Sequence, residues 1–243
     1  NQANALVQAG NNTRAAQLYK RALLFPNDKP TAKIYLNLGL AYLNSGRPDL
    51  MLEAFAKAGE ATDIDSESVL CALHLYNNGV YEKSMELFEK GVRLGSKDER
   101  AKKALEILRN NTLEQLREMS LNRANQLTIQ QKYREAAGIY KFLLEKGYKK
   151  AIIYRNIGVC HFQTNEFEDA VVNFSASKNE TPAPDVVLYL AYTYYRMGNN
   201  AKAIEELKIG TALFPQDAGL RNFYAQLLGA ASEKNTDSGN RQR

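Results

Sequence analysis

The chain has 243 residues, of which 44% are hydrophobic and 24% charged, and its formal net charge is +5. The 32 basic residues are mixed with 27 acidic ones instead of forming the dense basic stripe of a dedicated nucleic-acid-binding protein, so we expect no nucleic-acid partner. No apolar run is long enough to cross a bilayer, so we expect no membrane-spanning segment.

Paired helical segments follow one another along the chain, each with a small residue in its first helix and a bulky one in its second. The small residues are Ala3, Gly39, Ala72, Ala124, Gly158, Ala191 and Ala225. The bulky residues are Tyr19, Phe55, Phe88, Tyr140, Phe174 and Leu207. Both sets recur about every 33–36 residues, with one interval of about 52, and a period this long predicts a stacked helical array.

The two markers have a simple steric meaning. A glycine or alanine in the first helix allows the second helix to approach closely, and the bulky side chain of the second helix fills the remaining space. Glycine-containing turns are expected between the helices at 44–46, 77–79 and 197–199, because glycine readily adopts the left-handed backbone that ends a helix. The long interval contains one repeat and an insert of about 18 residues.

These residues resemble the tetratricopeptide repeat family, whose pattern is W-x2-L-G-x2-Y, then A-x3-F, then P. The clearest copy is Tyr35, Leu38, Gly39 and Tyr42, and the resemblance extends over residues 1 to about 231. The chain also departs from the pattern. No repeat has the leading tryptophan, for which Tyr35 and Tyr154 stand in, and Met51 and Ser84 replace alanine, whereas Arg123 replaces a buried leucine. The resemblance implies an all-α, right-handed solenoid of stacked antiparallel helix pairs.

The marker positions divide the chain into five segments. We expect an N-terminal block of three repeats at 1–97, the first truncated, and a C-terminal block of three at 117–216. A connecting or capping helix is expected at 98–116, a capping helix at 217–231, and a mobile polar tail at 232–243.

Two possible helix starts lie in the connecting segment. Ser96 followed by Glu99, and Thr112 followed by Gln115, both fit the capping-box pattern at the beginning of a helix. The segment therefore either breaks near Asn110 or continues through it as one long helix.

The sequence offers no convincing catalytic centre. It lacks the phosphate-binding glycine loops, HExxH, CxxC and GxSxG, so we expect no enzyme activity, no cofactor and no metal site. His161 takes the position that tyrosine has in other repeats and is expected to pack in the core. Cys71 and Cys160 are expected to be buried and reduced, with a disulfide or metal site as the alternative.

The resemblance to the tetratricopeptide repeat family implies a concave groove lined by the first helices, which binds a peptide or a partner helix. Carried over to this chain, it gives the following lining residues: Asn37, Leu40, Tyr76, Asn122, Asn125, Arg155, Asn156, Phe162, Tyr189, Tyr192, Tyr195 and Arg196. The asparagine amides suit a peptide backbone, and the tyrosines suit an anchoring role. The lysine–asparagine–arginine clamp for acidic chaperone termini is not expected, because Ser66, Leu70, Asp185 and Tyr189 stand where its cations would be.

The function expected from these features is that of a non-enzymatic scaffold or adaptor that binds a protein or peptide partner. One alternative is a scaffold that assembles with itself as a homo-oligomer. Another is the regulatory part of a larger enzyme or anchored protein, since the sequence begins with Asn1 instead of methionine. The same start favours a bacterial extracytoplasmic location, with the cytoplasm as the alternative.

Overall fold

The computed structural model describes the backbone of residues 2–25 and 31–240, and side chains as far as Gly229. This part of the chain contains fourteen helices and no strand. They are α1 Gln2–Gln8, α2 Asn12–Leu23, α3 Thr31–Asn44, α4 Pro48–Ala61, α5 Asp65–Asn77, α6 Tyr81–Arg93, α7 Glu99–Arg109, α8 Leu113–Ile129, α9 Tyr133–Glu145, α10 Lys150–Gln163, α11 Phe167–Glu180, α12 Pro184–Arg196, α13 Asn200–Leu213 and α14 Ala218–Asn240.

The predicted markers form the contact between the two helices of a pair. A Cβ atom at Gly158 would lie 2.7 Å from the Phe174 ring, so only glycine permits this approach of α10 to α11. All six bulky markers are buried, as predicted. The small markers are buried as well, except Ala225, which is exposed on α14, the expected capping helix.

Ser84 shows how the helical pair tolerates a departure from the alanine pattern. Its side chain is fully buried, and its hydroxyl donates a 2.9 Å hydrogen bond to the carbonyl of Ala72 in the facing helix. The buried hydroxyl therefore has a partner and carries no desolvation penalty for an unpaired donor. Gly46, Gly79 and Gly198 end the first helices with positive φ, as the turns predicted.

The first compact unit comprises residues 1–148. Helices α1 to α6 pack each on the one before, and α7 packs on α6 and α5. The next pair departs from this order, because α8 packs on α6 and α9 on α4. Gly138 permits the second contact, since a Cβ atom there would lie 3.1 Å from Cα of Asp49. The repeat at 117–150, which the sequence analysis groups with the C-terminal block, thus packs against second helices of the first unit.

The chain is interrupted between α7 and α8. Helix α7 ends at Arg109, and Thr112 and Gln115 form the expected capping box at the start of α8, so the alternative of one continuous helix is wrong. The other expected cap is also corrected. Asp98, not Ser96, caps α7, because its carboxylate accepts hydrogen bonds from the backbone N–H groups of Arg100 and Ala101.

The second compact unit comprises residues 149–243 and keeps the regular order. Each of α11 to α14 packs on the preceding helix, and α12 also contacts α10 and α14. Helix α14 buries Leu220, Phe223 and Leu227 against α12 and α13, whereas Leu228 is 44% exposed. The backbone stays helical to Asn240, through most of the expected tail, and 241–243 lie outside the described residues.

Candidate functional site

Helix α12 carries two tyrosines that are held by the fold yet open to solvent. The Tyr192 ring stacks on Phe223 of α14 with centroids 4.1 Å apart, and the Tyr195 ring meets the same phenylalanine edge-on at 5.8 Å. Tyr192 is nevertheless 39% exposed and Tyr195 43% exposed. Each ring is thus supported on one side, and much of its surface remains available.

The rest of this surface is formed by α10 and α12. Tyr189 is half-buried, stacked on Phe174 with centroids 5.3 Å apart, and meets Phe162 edge-on at 6.2 Å. These rings extend the aromatic surface of Tyr192 and Tyr195 toward α10. We call the set Phe162, Tyr189, Tyr192, Tyr195 and Arg196 the tyrosine face.

Arg196 is the cation of the tyrosine face. Its guanidinium carbon lies 5.0 Å from the centroid of the Phe167 ring and 5.7 Å from that of Phe162, within the range of cation–π attraction. It also donates a 3.1 Å hydrogen bond to Oδ1 of Asn165, a residue with φ of 60° in the turn after α10. Arg196 is exposed but held in place, which suits a role in binding.

Arg155 and Asn156 occupy a different part of α10. Arg155 forms a 2.9 Å ion pair with Asp185 of α12, and its Nε donates to Oδ1 of Asn156 at 3.4 Å. The charge of Arg155 is therefore largely compensated within the fold. Both residues lie in the same compact unit as the tyrosine face.

The remaining predicted lining residues belong to the first compact unit. Leu40 is 41% exposed and Asn122 is exposed, whereas Asn37 is half-buried beside a cleft of about 660 Å³. Two others are half-buried and contact neighbouring helices. Tyr76 meets Tyr81 edge-on, and Asn125 accepts a 2.7 Å hydrogen bond from the Tyr140 hydroxyl.

His161 lies at the end of α10 and contacts the start of α11. Its side chain is largely buried, and its Nδ1 lies 2.7 Å from a carboxylate oxygen of Glu166. With Asp169, these two residues place three possible metal-ligand atoms within 4.8 Å of one another. Carboxylates at the first turn of a helix are also favoured by the helix dipole, which accounts for their position without an ion. His161 therefore pairs with a carboxylate at the edge of the core, where simple apolar packing was expected.

Both cysteines are buried thiols outside any disulfide, as expected. Burial raises the pKa of the Cys71 thiol to about 12, so this side chain stays protonated and behaves as a small apolar residue.

Three residues that support the tyrosine face, Phe223, Phe167 and Asn165, were not predicted from the sequence. Phe223 could have been recognised, because it follows Leu220 by three residues and precedes Leu227 by four, the spacing of one helix face. The roles of Asn165 and Phe167 depend on the turn after α10, whose geometry has no distinct sequence pattern.

The comparisons with known proteins agree on the fold. Family models described as tetratricopeptide repeat match residues 1–63, 121–174 and 184–227, together well over half of the chain. No curated protein sequence matches it significantly. No helix in the described ranges is both long and apolar enough to cross a membrane.

Several solved structures are similar over most of their length. The TPR2AB domain of yeast Sti1, solved in a pHSP90 complex, has 16% identity and a TM-score of 0.43, with 95% of each chain covered. YrrB, described as a TPR protein with an unusual peptide-binding site, has 15% identity and a TM-score of 0.41, covering 85% of this chain and 97% of its own. MamA from Desulfovibrio magneticus RS-1 has 17% identity and a TM-score of 0.38, covering 77% and 97%. The repeat markers, the helix pairs and the matching family models together show that this chain belongs to the tetratricopeptide repeat family, whose folds generally serve as scaffolds for protein–protein interaction.

Proposed function

We propose that the chain is a non-enzymatic adaptor that binds a segment of another protein on its tyrosine face. The observation that carries the proposal is that the Tyr192 and Tyr195 rings pack on Phe223 and yet remain 39% and 43% exposed. Such rings lose little conformational freedom on binding, so more of the contact energy remains as affinity.

The chemistry of the face indicates the kind of segment it would bind. The tyrosine rings offer apolar surface for a bulky side chain, and their hydroxyls can bond to a peptide backbone. Arg196 adds donors that suit a carbonyl or carboxylate beside that side chain. The preferred ligand is therefore an extended or helical segment with an apolar anchor, held mainly by ring contacts.

The proposal can be tested before the natural partner is identified. Random peptides displayed on phage would be selected on the immobilised chain, and the affinity of the selected peptides measured by isothermal titration. Tyr192→Ala and Tyr195→Ala are expected to weaken binding about tenfold each, the loss typical of an anchoring side chain.

Val172→Ala is the matched control, because Val172 is 66% exposed on α11, outside the tyrosine face. It is expected to leave affinity unchanged. Circular dichroism would verify that all variants keep their helix content. If both tyrosine variants bind like the parent chain, or if no peptide is selected, the tyrosine face is not the binding surface.

A further inference from the structure

The turn between α10 and α11 brings a histidine together with two carboxylates. Nδ1 of His161 lies 2.7 Å from a carboxylate oxygen of Glu166, and with Asp169 the three possible ligand atoms all lie within 4.8 Å of one another. Ligand atoms around a zinc ion are roughly 3 Å apart, because each lies about 2 Å from the metal. Small side-chain rotations would therefore bring all three onto one ion. Among the described residues, no other group of three His, Cys, Asp or Glu side chains lies this close together.

Other repeats build the same corner from different residues. The equivalent positions, including those five and eight residues after the first-helix residue, hold Tyr42, Arg47 and Leu50 in the repeat of α3 and α4, and Tyr194, Asn199 and Lys202 in that of α12 and α13. Neither set offers three metal-binding side chains. In the second set, Lys202 Nζ lies 5.3 Å from the centroid of the Tyr194 ring, so a cation occupies the corner. The helix pair thus forms without a histidine or a carboxylate here, and packing does not explain why the α10–α11 turn has both.

The N-terminus of α11 does not explain the set either. The helix dipole favours carboxylates at Glu166 and Asp169, but His161 comes from the end of the preceding helix. Within the described part of the chain, the Asp169 carboxylate forms no ion pair. Arg196, the cation that contacts this turn, bonds to Asn165 instead. The negative charge of Asp169 therefore remains available to a bound cation.

The backbone of the turn already holds two of the three side chains in place. The N–H of Glu166 donates a 2.9 Å hydrogen bond to the carbonyl of His161. The hydroxyl of Thr164 lies 3.1 Å from the carbonyl oxygen of Cys160 and 3.2 Å from that of His161. The side chain of His161 is only 13% exposed, which restricts its motion further. Little conformational freedom is lost when such residues bind an ion.

We propose that His161, Glu166 and Asp169 bind a divalent transition-metal ion, with Zn²⁺ as the preferred one. An imidazole nitrogen suits zinc, whereas Mg²⁺ and Ca²⁺ are bound by oxygen ligands. Three protein ligands leave a position for water, so the site is open to solvent. The ion joins the end of α10 to the start of α11 and stabilises this helix pair. No metal site was expected from the sequence motifs, and this one does not depend on the tyrosine face.

The test measures zinc binding to the full chain by isothermal titration, after a chelator has removed any metal. About one ion per chain is expected, and Mg²⁺ at the same concentration should not bind. His161→Tyr and Asp169→Asn are each expected to weaken zinc binding at least about tenfold. His161→Tyr introduces the residue that Tyr42 and Tyr194 supply in other repeats, so the variant should fold, which circular dichroism would verify.

Glu168→Gln is the matched control, because Glu168 is an exposed carboxylate in the same helical turn, outside the set of three ligands. It should bind zinc like the parent chain. The ring NMR signals give a second measurement, since the chain has 2 histidines. Zinc should shift the signals of His161 and leave those of His74, which the variant His74→Phe identifies.

Three outcomes would overturn the proposal. The first is that zinc does not bind. The second is that His161→Tyr and Asp169→Asn bind zinc as tightly as the parent chain, because the ion would then lie elsewhere. The third is that Glu168→Gln weakens binding as much as Asp169→Asn, because the acidic surface alone would then attract the ion.

Discussion

The two compact units use the same helix pair in different ways. In the second unit, α12 packs on α11 and α14 packs on α13, and the first helices α10, α12 and α14 lie side by side. In the first unit, this order ends at α7, and the following pair packs instead on the second helices α6 and α4. The repeat pattern therefore specifies the helix pair, whereas residues outside the pattern determine which helices that pair packs against.

Glycine shows the difference at the level of single residues. Gly158 is a repeat marker and lies inside its own pair, against Phe174. Gly138 is not a marker and lies on the outer side of its pair, where a Cβ atom would meet Cα of Asp49 at 3.1 Å. The first glycine allows a pair to form, and the second allows that pair to pack on another.

Ion pairs show the same distinction. In the second unit, Lys178 and Glu206 join α11 and α13, the second helices of consecutive repeats, at 2.8 Å. In the first unit, Glu82 of α6 pairs with Arg117 of α8 at 2.8 Å, and also lies 3.6 Å from Lys146 at the end of α9. The charges that hold α8 and α9 in place thus come from positions outside the repeat pattern.

Truncation of Phe174 should give the largest effect, because it empties the centre of a regular pair. Phe174→Ala is expected to lower the free energy of unfolding by about 3–5 kcal/mol, since the fully buried ring also supports Tyr189. Urea unfolding would measure the loss, and amide hydrogen exchange would locate it in α10 to α12. Val172→Ala, at an exposed position of the same helix, should change stability by less than about 0.5 kcal/mol. A loss below about 1 kcal/mol for Phe174→Ala would contradict the packing described.

Substitution of Gly138 tests the contact that is particular to the first unit. Gly138→Ala is expected to cost about 1–3 kcal/mol, because the new methyl group meets the α4 backbone and cannot displace it cheaply. Hydrogen exchange should rise in α4 and α9. Gly229→Ala offers a control of opposite sign, since a Cβ atom there meets nothing within 4 Å. It should stabilise the chain by up to about 1 kcal/mol through helix propensity. If Gly138→Ala were also neutral or stabilising, α9 would not pack on α4 as described.

The partly buried Glu82–Arg117 pair should contribute less. A double-mutant cycle with Glu82→Gln and Arg117→Met is expected to give a coupling energy of about 1 kcal/mol, because two hydrogen bonds join the groups at 2.8 and 3.1 Å. The same cycle on Glu53 and Lys57, an exposed pair within α4, should give about 0.3–0.5 kcal/mol. Equal couplings would show that the α6–α8 pair adds nothing beyond an ordinary surface interaction.

The sequence was sufficient to predict the features that recur in each repeat. The period, the glycine turns and the buried markers follow from short-range spacing, so the helix pairs and the family could be predicted from it. The contact of α9 with α4 could not be predicted, because nothing in the sequence distinguishes Gly138 from other glycines within helices.

The candidate site was predictable only in part. Spacing on one helix brought Tyr189, Tyr192 and Tyr195 together, since residues three or four apart share a face. It could not show that Phe223 supports two of them, because this contact joins helices from different pairs.

The smallest effect expected is a pH dependence that belongs to the first unit. The His74 ring stacks on Phe55 with centroids 4.2 Å apart, and burial lowers its pKa below the ordinary value of 6.5. Above the unfolded pKa the ring is neutral in both states and its contribution is complete. As the pH falls through about 6.5, the unfolded chain takes up the proton first, so stability declines. The decline from this residue should be under about 1 kcal/mol, because the ring is only half-buried.

Urea unfolding near pH 7.5 and near pH 5.5 would measure the decline in stability. His74→Phe keeps a stacked ring without the titration, and both proteins retain His161 and the carboxylates, so the difference between their pH slopes isolates His74. Identical slopes would show that the pKa of His74 is the same in the folded chain as in the unfolded one, which would contradict the effect of burial.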